Sequence, residues 1–229
     1  MIMTVPAYSK TLQVAVIGSS TVGQVLARAF ATEGFATMIG TRDVSKPDFV
    51  KYIQENPSIK TGSFADCSKF GQVIVLAVGG QYAVEAIQLA GGNAALEGRI
   101  IIDATNPIKG VEAGKVMYFT QQNESLMEIL QREAPSAHFV KSFNSIGNNV
   151  MYRPKYENGQ RGSMFICGNN DAAKATVSTI LSENFGHDAV DCGTVAAASG
   201  IEALCPLWVG LAIKQGYFNW GFRQICVPK

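Results

Sequence analysis

Short apolar runs alternate with amphipathic stretches along almost the whole chain. Residues 14–17 form an apolar run of strand length that ends in Gly18, and Val22, Val25, Leu26, Ala29 and Phe30 then recur at helical spacing on one face. Gly34 supplies a helix stop, so 35–39 reads as a second strand. A helix follows over 46–56, then a short strand over 58–61 and a brief helical connection over 66–71. The run 73–78 is apolar at every position, which places it as a strand covered on both faces, in the middle of a parallel sheet. Gly79 and Gly80 end it, 81–96 reads as one helix, 99–103 as the next strand, and Asn106-Pro107 as a turn.

The second half repeats the alternation with less force. A helix is predicted over 124–133 and strands over 139–143 and 164–167. A helix starting at Asn170-Asp171 carries Val177, Ile180, Leu181 and Phe185 on one face and stops at Gly186, ahead of a short strand over 189–192. The tail 196–221 is apolar and reads as helix interrupted near Pro206, while the polar stretch 153–162 reads as a flexible loop or lid. Strand-helix alternation of this kind, with the glycine turn 18–23 joining the first strand to the first helix, predicts an α/β fold, a doubly wound, mostly parallel sheet of the Rossmann NAD(P)-binding type, with a small C-terminal α/β and helical extension. Residues 11–150 form the expected dinucleotide-binding domain. Residues 151–229 form a smaller subdomain packed on it that completes the substrate pocket.

Composition narrows the functional classes. The 229 residues carry a net charge of +1, which gives no general attraction to nucleic acid or to a membrane surface, so any positive site is local. The strand-like apolar runs are too short to span a bilayer, and the first ten residues lack the pattern of a secretory signal. Five cysteines, none in CxxC spacing, suit a reducing compartment. A cytoplasmic protein with no structural metal is expected.

The chemistry concentrates at the ends of the predicted strands. Gly18, Ser19, Ser20, Thr21, Val22 and Gly23 join the first strand to the first helix, whose free N–H groups and dipole suit a pyrophosphate. A full glycine fingerprint has glycine where Ser20 stands; serine is the least disruptive replacement, since its hydroxyl can donate to a phosphate oxygen. NAD sites place an acidic residue at the end of the second strand for the ribose hydroxyls. Here Gly40 occupies that place and Thr41-Arg42 follow, a hydroxyl and a guanidinium suited to the 2′-phosphate of NADP.

With these segments in order, VAVIGSSTVGQVLARAF, MIGTRD, VIVLAVGGQYAVEAI, IIIDATNPI and HFVKSFNSIGNN, the chain resembles the coenzyme F-420-dependent (deazaflavin-dependent) NADP oxidoreductase family over nearly its whole length. The resemblance implies NADP(H) as cofactor, with a flavin or deazaflavin as second substrate. It implies that residues 19–23 bind the pyrophosphate, that Thr41 and Arg42 bind the 2′-phosphate with Lys46 adding a contact, and that Ala77, Val78 and Gly79 line the adenosine and ribose path. Asn106 and Pro107 fall near the nicotinamide, and the substrate pocket begins at Asn144. The chain departs from the family pattern at Ser20 and at Gly79-Gly80, where missing side chains are expected to open space beside the nicotinamide.

Hydride transfer between NADPH and a flavin-like ring asks little of the protein in acid-base terms. The sequence offers no Ser-His-Asp arrangement and no metal spacing, so no catalytic side chain is assigned. His138 and His187 read as structural, and Asp103 as the tie for a neighbouring loop. Tyr82 and Tyr118 read as packing or as proton donors. Tyr82, Asn144 and Trp208 are the candidate substrate contacts; Trp208 with Tyr217, Phe218 and Trp220 could form an aromatic platform for a flat substrate, but their helical spacing favours core or the contact of a homodimer. Two functions fit: a reductase passing hydride from NADPH to a small acceptor, and a non-catalytic NADP(H)-binding module that senses redox state or serves a partner.

Overall fold

The computed structural model describes residues 5–227. Its parallel sheet begins with β1 (Gln13–Ile17), β2 (Ala36–Gly40), β3 (Lys60–Gly62), β4 (Val73–Leu76) and β5 (Ile100–Asp103). A hairpin of β6 (Ile108–Glu112) and β7 (Lys115–Tyr118) then leaves the sheet, which β8 (His138–Lys141) completes in the order β3-β2-β1-β4-β5-β8. Strand order reverses between β1 and β4, so a crevice opens beyond their carboxyl ends, where ligands bind in sheets of this topology.

Alternation along β1 sorts its side chains between two cores. Val14 and Val16 face one cluster that takes Leu26, Ala27 and Phe30 from α1 (Thr21–Thr32). Ala15 and Ile17 face the other, with Cys67 of α3 (Phe64–Phe70), which follows α2 (Pro47–Glu55), and with Ala83 and Ile87 of α4 (Ala83–Leu89). Every residue of β4 and β5 is buried, as the unbroken apolar run 73–78 predicts for central strands.

Several elements differ from the sequence reading, each for a local reason. The helix expected over 81–96 is a 3-10 turn, Gly80–Tyr82, then α4, then α5 (Gly92–Leu96); it breaks where Gly91 and Gly92 take φ of +101° and +63°, which glycine adopts freely. The β6–β7 hairpin was not expected, because its strands lie at the surface and lack an apolar alternation. After α6 (Leu126–Glu133) and β8 come β9 (Gly162–Ile166), α7 (Asp171–Thr179), which loosens into a π turn over Ile180–Phe185, and β10 (His187–Asp191), parallel to β9. In the tail, α8 (Ala198–Glu202) and α9 (Leu204–Gln215) meet at Ala203. Pro206 lies in the first turn of α9, where its missing N–H costs nothing, so it is not the break.

The second half is fixed to the first. Lys141 of β8 bridges Cys167 just beyond β9, and Phe185 packs on Phe30 and Phe143 at centroid distances of 4.8 and 5.2 Å in the shared core. Arg153 Nε donates to Glu33 Oε1 at 2.7 Å and Arg161 pairs with Asp188 at 2.8 Å, so the stretch read as a flexible lid is anchored at both ends. Val195–Gln215, with a mean hydropathy of 1.6, is long and apolar enough to cross a membrane by length and composition alone. Ile201, Cys205, Trp208 and Ala212 are buried against the fold, whereas Leu207 and Ile213 are each 52% exposed.

Candidate functional site

A cavity of about 550 Å³ occupies the crevice between the ends of β1, β2 and β4. It is lined by Gly18, Ser19, Ser20 and Thr21 from the β1–α1 turn, Thr41, Arg42 and Lys46 from the β2–α2 loop, and Ala77, Val78, Gly79 and Tyr82 beyond β4. These are most of the residues the sequence assigned to a dinucleotide. Val22 and Gly23 do not line it; they belong to the first turn of α1, and Gly23 shapes the turn from behind.

Glycine is required at two points of this turn by close approach. Gly18 has φ +118°, and a Cβ there would overlap the Ala77 carbonyl; a Cβ on Gly23 would overlap the Gly18 carbonyl oxygen. Helix and loop are thereby pressed onto the strand ends. Ser20 is the N-cap of α1 but makes no side-chain cap, its hydroxyl pointing to Ala77 O over a long 3.4 Å. The first-turn N–H groups are therefore left for an anionic ligand, and a serine hydroxyl stands beside them. This donor set fits a pyrophosphate.

The second strand ends without an acidic side chain for a ribose diol, and with a guanidinium just beyond it. A Cβ on Gly40 would lie 2.6 Å from Cys67 Sγ, so the packing of α3 leaves no room for an acidic side chain there. The same burial pushes the Cys67 thiol up to about 12, which keeps it an unreactive core group. Arg42 reaches over the cavity, its guanidinium 5.3 Å from the Tyr82 ring centre and 3.8 Å from Glu85. Thr41 behaves differently from the expectation of a phosphate donor. Its hydroxyl accepts from Ser19 Oγ at 2.9 Å and donates to Asp43 O at 3.2 Å, so it ties the pyrophosphate turn to the Arg42 loop. Tyr82, expected at the substrate, lines this same cavity under Arg42.

Asn106, Pro107, Asn144 and Trp208 lie outside the cavity lining. Asn106 Nδ2 donates to Asn144 O at 2.7 Å, and Asn144 Nδ2 donates to Asn106 Oδ1 and to Ile201 O, both at 3.1 Å. Asn144 Oδ1 is buried and accepts no hydrogen bond from the described residues. Gly80 corrects the expectation of open space beside the nicotinamide. A Cβ on it would overlap the Asn106 carbonyl oxygen, so backbone fills that space. Trp208 is 8% exposed and stacks on Trp220 at 5.8 Å and 19°, with Phe218 tilted against it at 5.6 Å. Its ring packs against the chain's own tail.

Beneath the Asn106–Asn144 pair lies a charge cluster the sequence reading missed. Lys141 Nζ, wholly buried, contacts Asp103 Oδ2 at 2.8 Å, Glu202 Oε1 at 2.7 Å and Thr105 O at 2.9 Å. Glu202 also accepts from the N–H groups of Leu126 and Met127 at 2.9 and 3.2 Å, capping α6. Burial alone would lower the Lys141 pKa, but the two carboxylates hold it above its ordinary value; burial in turn holds the Glu202 carboxyl above its own. The β5–β8 register sets Asp103 beside Lys141, a pairing that only the assembled sheet makes. Nothing local pointed to Glu202. Asp103 ties its loop as expected, accepting from Thr105 N at 2.9 Å and Thr105 Oγ1 at 2.6 Å.

Other candidate acid-base groups are used in the structure. Tyr118 donates to Glu202 O, and the His187 ring contacts Met151 O at 3.1 Å. Burial lowers the pKa of both His138 and His187. Among the described residues no cluster of potential metal ligands occurs.

Residues 13–107, which include every strand around the cavity, match the family described as NADP oxidoreductase, coenzyme F420-dependent. The chain is 27% identical over 228 residues to the F420-dependent NADP reductase of Methanothermobacter marburgensis, covering 95% of this chain and all of that protein. It is 26% identical over 159 residues to the F420-dependent NADP reductase of Methanocaldococcus jannaschii, covering 69% and 70% of the two chains. A solved structure from Arthrobacter sp. FB24, described as a candidate F420-dependent NADP-reductase, superposes with a TM-score of 0.88 at 32% identity over 94% of this chain and 100% of the other. An imine reductase from Aspergillus terreus, at 13% identity and a TM-score of 0.60, shares the fold. The crevice, its glycine turn and the full-length likeness to the Arthrobacter structure together make this chain a member of the coenzyme F420-dependent NADP oxidoreductase family.

Proposed function

We propose that the protein is an NADP(H)-dependent oxidoreductase that transfers a hydride between NADPH and a flavin-like acceptor of the deazaflavin class, with coenzyme F420 as the first acceptor to test. The observation that carries the cofactor reading is the pairing, in one cavity, of uncapped N–H groups at the start of α1 with Arg42 and Lys46 beyond β2, where no acid fits. The names of its full-length relatives support the acceptor class.

NADP(H), when bound, supplies or takes up the hydride. The first turn of α1 holds the pyrophosphate, Ser19 and Ser20 add hydroxyls, and Arg42 with Lys46 neutralises the 2′-phosphate. Ala77, Val78 and Gly79 form the floor along the ribose path. The Asn106–Asn144 pair lies at the nicotinamide end, where the unpartnered Asn144 Oδ1 is an acceptor for an amide or ring N–H. Ring-to-ring hydride transfer needs the two rings stacked and aligned, and the proton that completes reduction of the acceptor ring comes from solvent, so no side chain is assigned to move it. Residues 151–229 complete the acceptor side, Ile201 O and Glu202 meeting the Asn144 and Lys141 side chains.

The test is oxidation of NADPH, followed by absorbance, with coenzyme F420, FMN, FAD, quinones and ferric complexes as acceptors. Turnover with F420 well above the other acceptors is expected. Tight NADPH binding with every acceptor left unreduced would overturn the reductase reading.

A further inference from the structure

Arg42 has two partners within the chain. It springs from the loop after β2, yet its guanidinium lies against the opposite wall, 5.3 Å from the Tyr82 ring centre and 3.8 Å from Glu85 Oε2 in the first turn of α4. The cation therefore spans the crevice at its outer end. Arg42 and Glu85 side chains are 54% and 53% exposed, so this is a solvated, breakable pair rather than a structural one.

The cavity's charge balance gives that pair a consequence. Four ionisable side chains of unlike sign line it, Arg42 and Lys46 against Asp48 and Glu85, and they cancel formally. A 2′-phosphate carries more negative charge than a carboxylate and binds a guanidinium in the same bidentate geometry. It must take Arg42 from Glu85 in order to bind. A ribose 2′-hydroxyl needs no such exchange.

We propose that Glu85 is a specificity-determining residue that competes with the 2′-phosphate for Arg42 and so limits the protein's preference for NADP(H) over NAD(H). Tyr82 keeps the guanidinium at the mouth during the exchange, through its ring face. The proposal rests on the NADP reading of Arg42, and its test separates the two.

Dissociation constants for NADPH and NADH are measured by nucleotide fluorescence for the wild type, Glu85→Gln, Arg42→Ala and the double variant, at physiological ionic strength. All substituted side chains are exposed, and Gln keeps the shape of Glu. Releasing a solvated ion pair predicts that Glu85→Gln tightens NADPH by about three- to fivefold and changes NADH by less than about twofold. In the Arg42→Ala background the same substitution is expected to change NADPH binding by at most about twofold, because its action passes through the arginine. An unchanged or weakened NADPH affinity in Glu85→Gln, while Arg42→Ala still loses NADPH selectively, overturns the role of Glu85 and leaves the NADP site standing. A full effect of Glu85→Gln without Arg42 also overturns it. An Arg42→Ala variant that binds the two nucleotides in the wild-type ratio removes the phosphate reading itself.

Discussion

Replacing Lys141 by methionine tests how the buried charges hold the crevice floor. The lysine is wholly buried and its ammonium touches Asp103, Glu202 and the Thr105 carbonyl within 2.7–2.9 Å. Methionine fills a similar volume, so the loss is electrostatic rather than a cavity. Two carboxylates, 0% and 2% exposed, are left without their cation, a change that costs about 3–5 kcal/mol. For a chain of this size that corresponds to a fall in Tm of roughly 10 °C. The cost depends on pH with a definite sign. Burial already holds the folded-state pKa of Glu202 above its ordinary value of 4.5, and removing Lys141 raises it further. Between the unfolded and folded values the native variant binds a proton that the unfolded chain does not, so its stability falls as pH rises through that window. Denaturant titrations of wild type and variant at pH 5 and pH 8 are expected to show a penalty smaller at pH 5 by at least about 1 kcal/mol. Adding Glu202→Gln to Lys141→Met is expected to restore about 1 kcal/mol or more at pH 8. A penalty below about 1 kcal/mol, or one equal at both pH values, refutes the reasoning.

Three further substitutions follow from the site and its supports. Arg42→Ala is expected to weaken NADPH by about 1–3 kcal/mol with little change for NADH, read by titration; equal losses for both nucleotides would falsify the phosphate assignment. Thr41→Val breaks the Ser19–Thr41–Asp43 link and is expected to weaken NADPH and NADH alike, whereas Thr41→Ser retains both; a loss confined to NADPH makes Thr41 a phosphate ligand instead. Glu33 accepts from Arg153, Tyr152 and Asn184, and these bonds, Arg153's first, lower its pKa from 4.5 to about 2. A lowered carboxyl stabilises above its unfolded pKa, and the contribution disappears as pH falls from 4.5 towards about 2. With its main partner half exposed, Glu33→Gln is expected to cost about 1–2 kcal/mol at pH 7 and only about a quarter of that near pH 2.5; a cost unchanged by acid contradicts the ion-pair account.

The alternation of strands and helices, the central place of 73–78 and the glycine turn between the first strand and helix were legible because they are local. Val14 to Gly23 sets a strand, a turn and a helix from neighbouring residues alone, and the unbroken apolarity of 73–78 places β4 at the middle of the sheet without reference to anything distant. Gly40 without an acid beside it, followed by Thr41-Arg42, already pointed to NADP. What the sequence could not carry was any relation between residues far apart. Arg42 and Glu85 are brought together from the loop after β2 and the first turn of α4, Glu202 reaches Lys141 from the C-terminal helices, and the Thr41 hydroxyl is taken by Ser19. The missing side chain of Gly80, read as open space, is filled by the Asn106 carbonyl from the next loop. Local propensity and spacing decide where strands, turns and cofactor donors fall. Whether a donor is free, paired or already spent depends on what the folded chain presses against it, and that was decided only by tertiary packing.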